Sequence, residues 1–156
     1  MRHEKYAPLL ASKDLLEFQF NSIGPRGDIS IIVQFTETDN PEIYNLAFGN
    51  LSDNGSIDDH VRNDNKDRNK ILATVAATVY EFSSRYPEKL ILFTGSTSER
   101  TRLYRMALTN NLNELSLDFH IYGINQVNRA YTMETFEKNK EYIGFVVRRK
   151  KGKFGI

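Results

Sequence analysis

The residues best suited to chemistry sit together in Gly95-Ser96-Thr97-Ser98-Glu99-Arg100-Thr101-Arg102-Leu103-Tyr104-Arg105. The run Lys89 to Thr94 breaks at the glycine, passes three hydroxyl residues and opens into a segment carrying three arginines. A strand that runs into a helix leaves unpaired backbone N–H groups at the helix start, and guanidinium groups beside them attract phosphate or carboxylate. The pattern predicts a phosphate-binding site made of Gly95, Ser96, Thr97 and Ser98 with Arg100, Arg102 and Arg105. A Walker-type loop is excluded, because no lysine follows the glycine at the required spacing. A structural reading competes. Ser96 and Glu99 fit a capping box, and Arg102 and Arg105 can pair with an internal acid such as Glu81 or Asp67.

A secondary basic patch, Arg148, Arg149 and Lys150, leads into the basic tail 151–156, with Tyr142, Phe145 and Phe154 interspersed. Cations beside stacking rings suit single-stranded nucleic acid, and the same cations also guard a strand edge against unwanted pairing. Asp58, Asp59, His60 and Asp64 offer carboxylates and an imidazole to a metal. The loop lacks the glycine and closing glutamate of a calcium site, and one histidine beside two aspartates is not a zinc pattern. A solvated loop is expected there, with Asp58, Asp59 and Asp64 as weak metal candidates and no cofactor assigned. His120 reads as a hydrogen-bonded histidine of a core or edge strand, and His3 carries no role. No serine or threonine sits in a nucleophile elbow, so no catalytic residue is assigned.

Composition narrows the classes further. At 156 residues, 40% hydrophobic and 26% charged, the chain is expected to form one globular domain over 1–156, with 1–14 mobile or peripheral. A net charge of +1 gives no overall field toward nucleic acid or anionic membrane, so such binding needs a local patch. With no cysteine there are no disulfides, thiolate nucleophiles or thiolate metal sites, which fits a reducing compartment. The N-terminus lacks the apolar core of a secretion signal, and no run approaches membrane-spanning length. A cytoplasmic protein with no membrane association is expected.

The elements that must position these residues follow from periodicity. Residues 15–51 read as antiparallel β: Leu16, Phe18 and Phe20 alternate with Glu17 and Gln19, and a turn follows from Ile23 to Asp28. Ile29, Ile31, Val33 and Phe35 share one face of a second strand, with Ile32 suggesting partial burial of the other; Ile43 to Phe48 makes a third. Residues 50–69 are a loop rich in turn formers, with a short edge strand around Ile57. From Lys70 to Tyr86 the period is helical, with Ile71, Val75, Val79 and Phe82 on one stripe and Leu72, Ala73, Ala76 and Ala77 broadening it. A strand at 89–94, the arginine helix to about Leu115, a strand at Phe119 to Gly123, weak signals from Asn125 to Lys140 with room for one helical turn, and a strand in Glu141 to Lys150 complete the order. On the arginine helix, Ser98, Arg102, Arg105 and Thr109 line one side, so Arg102 and Arg105 point together away from the core.

The fold class is therefore α+β: a three-stranded antiparallel meander, then α-β-α-β and a C-terminal strand, in a mixed sheet packed by two main helices. This order admits a ribonuclease-H-like topology, in which the later strands add parallel to the meander's first. Nuclease chemistry of that fold needs carboxylates on the first and fourth strands and the first helix, to clamp two cations about 4 Å apart. The strand Leu90 to Thr94 carries no acid, and Glu17 and Asp67 alone do not form such a site.

The runs Ile43-Tyr44-Asn45-Leu46-Ala47-Phe48-Gly49, Leu72-Ala73-Thr74-Val75-Ala76-Ala77-Thr78-Val79, Thr94-Gly95-Ser96-Thr97 and Arg100-Thr101-Arg102-Leu103-Tyr104-Arg105-Met106 resemble those of a family of short bacterial proteins of unknown function. The resemblance spans about residues 16 to 150. It implies a single-domain bacterial protein and supplies no catalytic or binding residues.

Three function classes follow. The first is a non-catalytic binding module for a phosphate-bearing ligand, nucleic acid or nucleotide, through 95–98 and the helix arginines. The second is an interaction protein, such as one component of a bacterial two-protein system, or a homodimer, joined through an edge strand or the arginine face. The third is a metal-dependent phosphoesterase using Asp58, Asp59 or Asp64.

Overall fold

The structure, a computed structural model, describes residues 4–58, 65–95 and 97–151. The period-two segments form β1 (Leu10–Ala11), β2 (Glu17–Gly24), β3 (Gly27–Glu37), β4 (Ile43–Leu51) and β5 (Ile57–Asp58). They are followed by α1 (Arg68–Arg85), β6 (Leu90–Phe93), α2 (Ser98–Asn110), α3 (Leu112–Asp118), β7 (Phe119–Val127), β8 (Ala130–Thr135) and β9 (Gly144–Arg149). The fold is α+β. Eight strands form one mixed sheet in the order β1-β2-β3-β4-β6-β9-β7-β8, and β5 pairs with β4 off that path.

Two compact units divide the chain: Met1–Thr36 with Leu46–Arg85, and Glu37–Asn45 with Tyr86–Ile156. In the first, β2 and β3 pair antiparallel from Glu17↔Gln34 to Gly24↔Gly27, so Pro25 and Arg26 make the turn. Gly27 closes it at φ +86°, a left-handed conformation that glycine adopts at no steric cost. Phe18, Phe20 and Ser22 alternate into the core, while Ile31, Ile32 and Val33 are buried in succession, as expected of a strand covered on both faces. The aromatic rings of Phe35 and Phe82 stack with centroids 4.3 Å apart, which fastens α1 to the sheet.

The stripe that α1 buries differs in one respect from the expected one. Thr74 and Thr78 are buried with Ile71, Val75 and Phe82, and Val79 is only half-buried. Each threonine hydroxyl is satisfied by its own helix, Thr74 donating to the Lys70 carbonyl at 2.7 Å and Thr78 to that of Val75 at 2.6 Å. A hydroxyl already bonded to the preceding turn no longer resists burial, so these positions behave as small apolar ones. Residues 4–14, expected at the periphery, are largely exposed, but Tyr6 is buried and stacks on Phe20 at 5.8 Å.

In the second unit β6 pairs parallel with the start of β4, Ile43↔Leu90 to Asn45↔Leu92, and antiparallel with β9. The expected ribonuclease-H-like arrangement would place β6 beside β2. Here its parallel neighbour is β4, the last strand on the main path before the crossover helix α1, and the strand beyond β6 is antiparallel. A short crossover through one helix returns the chain beside the strand it left.

Two further boundaries depart from expectation. The arginine helix ends at Asn110, where Asn111 (φ −121°, ψ 16°) leaves the helical region and its side-chain amide donates to the Ala107 carbonyl at 2.8 Å. An asparagine that satisfies helical carbonyls with its own side chain competes with the next helical bond, and α3 starts afresh. Residues 125–140, where one helical turn had room, instead complete a hairpin. β7 runs on to Val127 and β8 returns from Ala130, around Asn128 (φ 50°) and Arg129 (φ 67°). Positive φ at both central residues is the geometry of a type I′ turn, which matches strand twist.

Candidate functional site

The start of α2 is built by hydroxyl groups. Thr97 is the N-cap, in extended conformation (φ −134°, ψ 163°), and its side chain accepts from the Arg100 amide at 3.2 Å. The expected Ser96–Glu99 capping box is thus displaced by one residue: with Thr97 as cap, Glu99 is the second residue of the helix rather than the third. Ser96 lies outside the described residues. The Thr101 hydroxyl donates to the Thr97 carbonyl and accepts from the Gly95 amide, both at 3.1 Å. Gly95 is needed for this closure, since a Cβ there would lie 2.7 Å from the Arg100 carbonyl carbon and nearer still to the Thr101 nitrogen. The Gly95 amide, one of those expected to face an anion, is bonded within the chain, and so is the Arg100 amide in the first turn of the helix.

The arginines have separate surroundings. Arg100 hydrogen-bonds Tyr104, whose hydroxyl is pushed up to about 12 by burial, with the guanidinium opposing that rise. Arg105 lies 4.0 Å from Glu141, an internal partner that spacing along the helix could not reveal. Arg102 is exposed. Tyr104 itself packs edge-on against Phe93 at 5.2 Å, fixing α2 on β6.

The basic patch lies elsewhere. Strand register sets Arg148 opposite Leu90, at the beginning of β6, while the 94–97 loop leaves the end of that strand, where Phe93 faces Phe145. Arg149 sits over the Phe119 ring at 5.5 Å, and Lys150 donates to the Ser116 carbonyl at 2.5 Å. Arg148 is exposed beside His120 in the register and is not at the start of α2. Asp58 ends β5 half-buried; Asp59, His60, Asp64, His3 and Phe154 lie outside the described residues. Among the described residues no three histidine or acidic side chains gather as a metal site.

The first unit contains a polar cluster that the sequence did not announce. Asp67 Oδ2 accepts from the hydroxyls of Tyr6 and Ser22, while Oδ1 is buried with no partner among the described residues. Burial and the Asp67 carboxylate both raise the Tyr6 hydroxyl above its ordinary pKa. Buried Asn65 accepts from the Arg26 amide at 2.7 Å and donates to the Gly27 carbonyl at 2.9 Å and the Ser22 hydroxyl at 3.1 Å. These bonds hold the N-terminal segment and the start of α1 to the β2–β3 turn, and Ser22 is wholly buried, so it cannot serve as a nucleophile.

The exposed feature with the most chemistry is β8. It is the last strand of the sheet, five of its six residues are exposed, and Tyr131 and Met133 are 73% and 56% exposed on the same face. Hydrogen-bonded pairs alternate along an antiparallel ladder. Val127↔Ala130 closes the two-residue turn, and the Phe136 amide donates to the Ile121 carbonyl at 2.9 Å. The backbone groups of Ala130, Thr132 and Glu134 therefore face β7, and those of Tyr131, Met133 and Thr135 face outward. Natural edges are blunted by shortness, charge or proline. The opposite edge strand, β1, has only two residues. In β8 the sole charge, Glu134, is held by Lys140 at 2.6 Å. Sequence reading missed this strand because exposure on both faces erases alternation. Its signals are Tyr131, Thr132 and Thr135, which favour strands, after an asparagine suited to positive φ.

A membrane-crossing role has no helix to serve it: none of the described helices is long and apolar enough. No curated protein and no solved structure matches the chain. A family model described as a family of unknown function, DUF6934, matches residues 2–150. Since that match takes in nearly the whole chain, the protein belongs to the DUF6934 family.

Proposed function

We propose that the protein is an interaction module that binds an extended polypeptide along the outer edge of β8. The observation that carries this reading is the unguarded edge, with three residues' outward backbone groups and the adjacent exposed side chains Tyr131 and Met133. Strand addition draws affinity from main-chain hydrogen bonds and specificity from alternate side chains. The test is a photoreactive phenylalanine analogue at position 131, irradiated in cells of the source organism. A discrete adduct with a polypeptide, lost in Thr135→Pro, is expected, because proline there removes an outward amide and no internal bond. Absence of any adduct at positions 131 and 133 refutes the reading.

The phosphate reading retains one specific support, the exposed Arg102 near the start of α2, for which no ion pair is found among the described residues. Salt-dependent binding of labelled single-stranded RNA or DNA, weakened in a folded Arg102→Ala/Arg105→Ala variant, would favour it. Equal binding by that variant would remove it.

A further inference from the structure

The strand-addition reading leaves the occupant of β8 open, and the chemistry of the strand itself narrows it. Outward backbone groups fall at 131, 133 and 135, so an antiparallel strand can add only where its own outward residues face these. If the added strand is a second β8, the register that uses all three sets Met133 opposite Met133, Tyr131 opposite Thr135 and Thr135 opposite Tyr131. Each such pair exchanges two bonds, about six in all. Thr132 and Glu134 then oppose each other at the intervening positions.

The ends of the strand favour the same register. Arg129 lies at the hairpin turn, one residue before β8, and Glu137 lies two residues after it; both are exposed. With the axis at Met133 the cation of each copy opposes the anion of the other at both ends. Moving the axis to Thr132 sets Arg129 opposite Thr135 and Ala130 opposite Glu134, and both charge matches are lost. Pairing on this axis also gathers the exposed apolar side chains: Met133, whose cross-strand neighbour within the chain is Ile124, meets its own counterpart between two tyrosines. Opposite charges and aromatic or thioether contacts across a ladder are the pairs that stabilise it.

We infer that the polypeptide bound by β8 is a second copy of this chain, added antiparallel about a two-fold axis at Met133, with Arg129 of each copy opposite Glu137 of the other. This rests on the strand-addition reading and is tested separately from it. The chain contains no cysteine, so single cysteines report one position at a time. The full-length wild type is expected to sediment at twice the chain mass, and Met133→Pro at the single mass. Under mild oxidation Met133→Cys is expected to form disulfide dimers roughly ten-fold faster or more than Thr132→Cys, because the axis holds the two sulfurs at high effective concentration. Arg129→Glu is expected to weaken association, and Arg129→Glu/Glu137→Arg to restore it. A wild type at the single mass overturns self-pairing, as does a Thr132→Cys rate equal to or above that of Met133→Cys. In those cases a crosslink at position 131 to a different polypeptide would still uphold the strand-addition reading, and its absence would remove that reading too.

Discussion

Gly123 is a position where the packing argument yields a magnitude. It lies in β7, and a Cβ added there would lie 2.5 Å from Cζ of Tyr142 and nearer still to Cδ1 and Cε1. The obstacle is a ring in place, not the free end of a flexible chain. Tyr142 is buried, packs against Phe136 at 5.7 Å and Phe145 at 6.0 Å, and accepts from the Glu137 amide at 3.1 Å. Gly123→Ala must displace it. Overpacking costs about 1–3 kcal/mol, and disturbing two aromatic contacts adds about 0.5–1.5 kcal/mol for each. Against this, removing glycine from the unfolded chain returns about 0.4–1 kcal/mol. The expected net loss lies within about 1–6 kcal/mol, centred on about 3 kcal/mol, read as a lower urea midpoint at unchanged slope. In a Tyr142→Ala background the clash is gone, so the same substitution should be neutral or stabilising by up to about 1 kcal/mol. A Gly123→Ala cost of equal size in both backgrounds would refute the reasoning.

Other expectations follow from the same reasoning. Asn65→Ala strands the Arg26 amide and the Gly27 carbonyl and should cost about 2–4 kcal/mol in urea unfolding; a cost under about 1 kcal/mol would mean that water replaces the amide. Thr97→Ala should cost about 1 kcal/mol through loss of the α2 cap, while Thr97→Ser, which keeps the oxygen, should cost little. Tyr104 has a folded pKa pushed up to about 12, above its unfolded value near 10, so its contribution is fully present below pH 10 and is lost as pH rises from 10 through 12. The loss should be on the order of 2–3 kcal/mol, and Tyr104→Phe should show a shallower fall in stability over that range; equal slopes would contradict the assignment.

Most of the element order was legible because buried faces impose a period. Phe18 and Phe20 announce a strand and Ile71 with Phe82 a helix by spacing, while Leu90 to Phe93 announces a strand as a short apolar run that breaks before Gly95. Where burial did not impose a period, sequence reading failed. β8 is exposed on both faces, and β1 is too short to show one. Thr74 and Thr78 look polar by residue type but act as core residues once their hydroxyls bond the preceding turn. The break at Asn111 depends on a side-chain bond whose competition with the helix spacing does not display.

The candidate site was legible in composition and not in pairing. Gly95, Thr97 and the arginines do occupy the start of a helix after a strand, as the residue types imply. Which amides stay open depends on Thr101 reaching Gly95, and which arginines stay unpaired depends on Glu141, a residue of the long loop before β9. The first is a side-chain bond that a glycine and a hydroxyl six residues apart do not display by type, and the second joins positions far apart along the chain, of which one sequence carries no record. The Tyr6–Asp67 and Asn65 bonds were hidden for the same reason, since they join the N-terminus, the β2–β3 turn and the start of α1.

The central claim in its most specific form, that the outer edge of β8 receives the same strand of a second copy, is tested most directly by amide hydrogen exchange resolved residue by residue across Ala130–Thr135. Amides of Ala130, Thr132 and Glu134 bond β7 and should be protected at every concentration. Those of Tyr131, Met133 and Thr135 should gain comparable protection at concentrations where the chain associates, and lose it on dilution or, for Tyr131 and Thr135, in Met133→Pro. Outward amides that exchange at unprotected rates at every concentration would contradict the account.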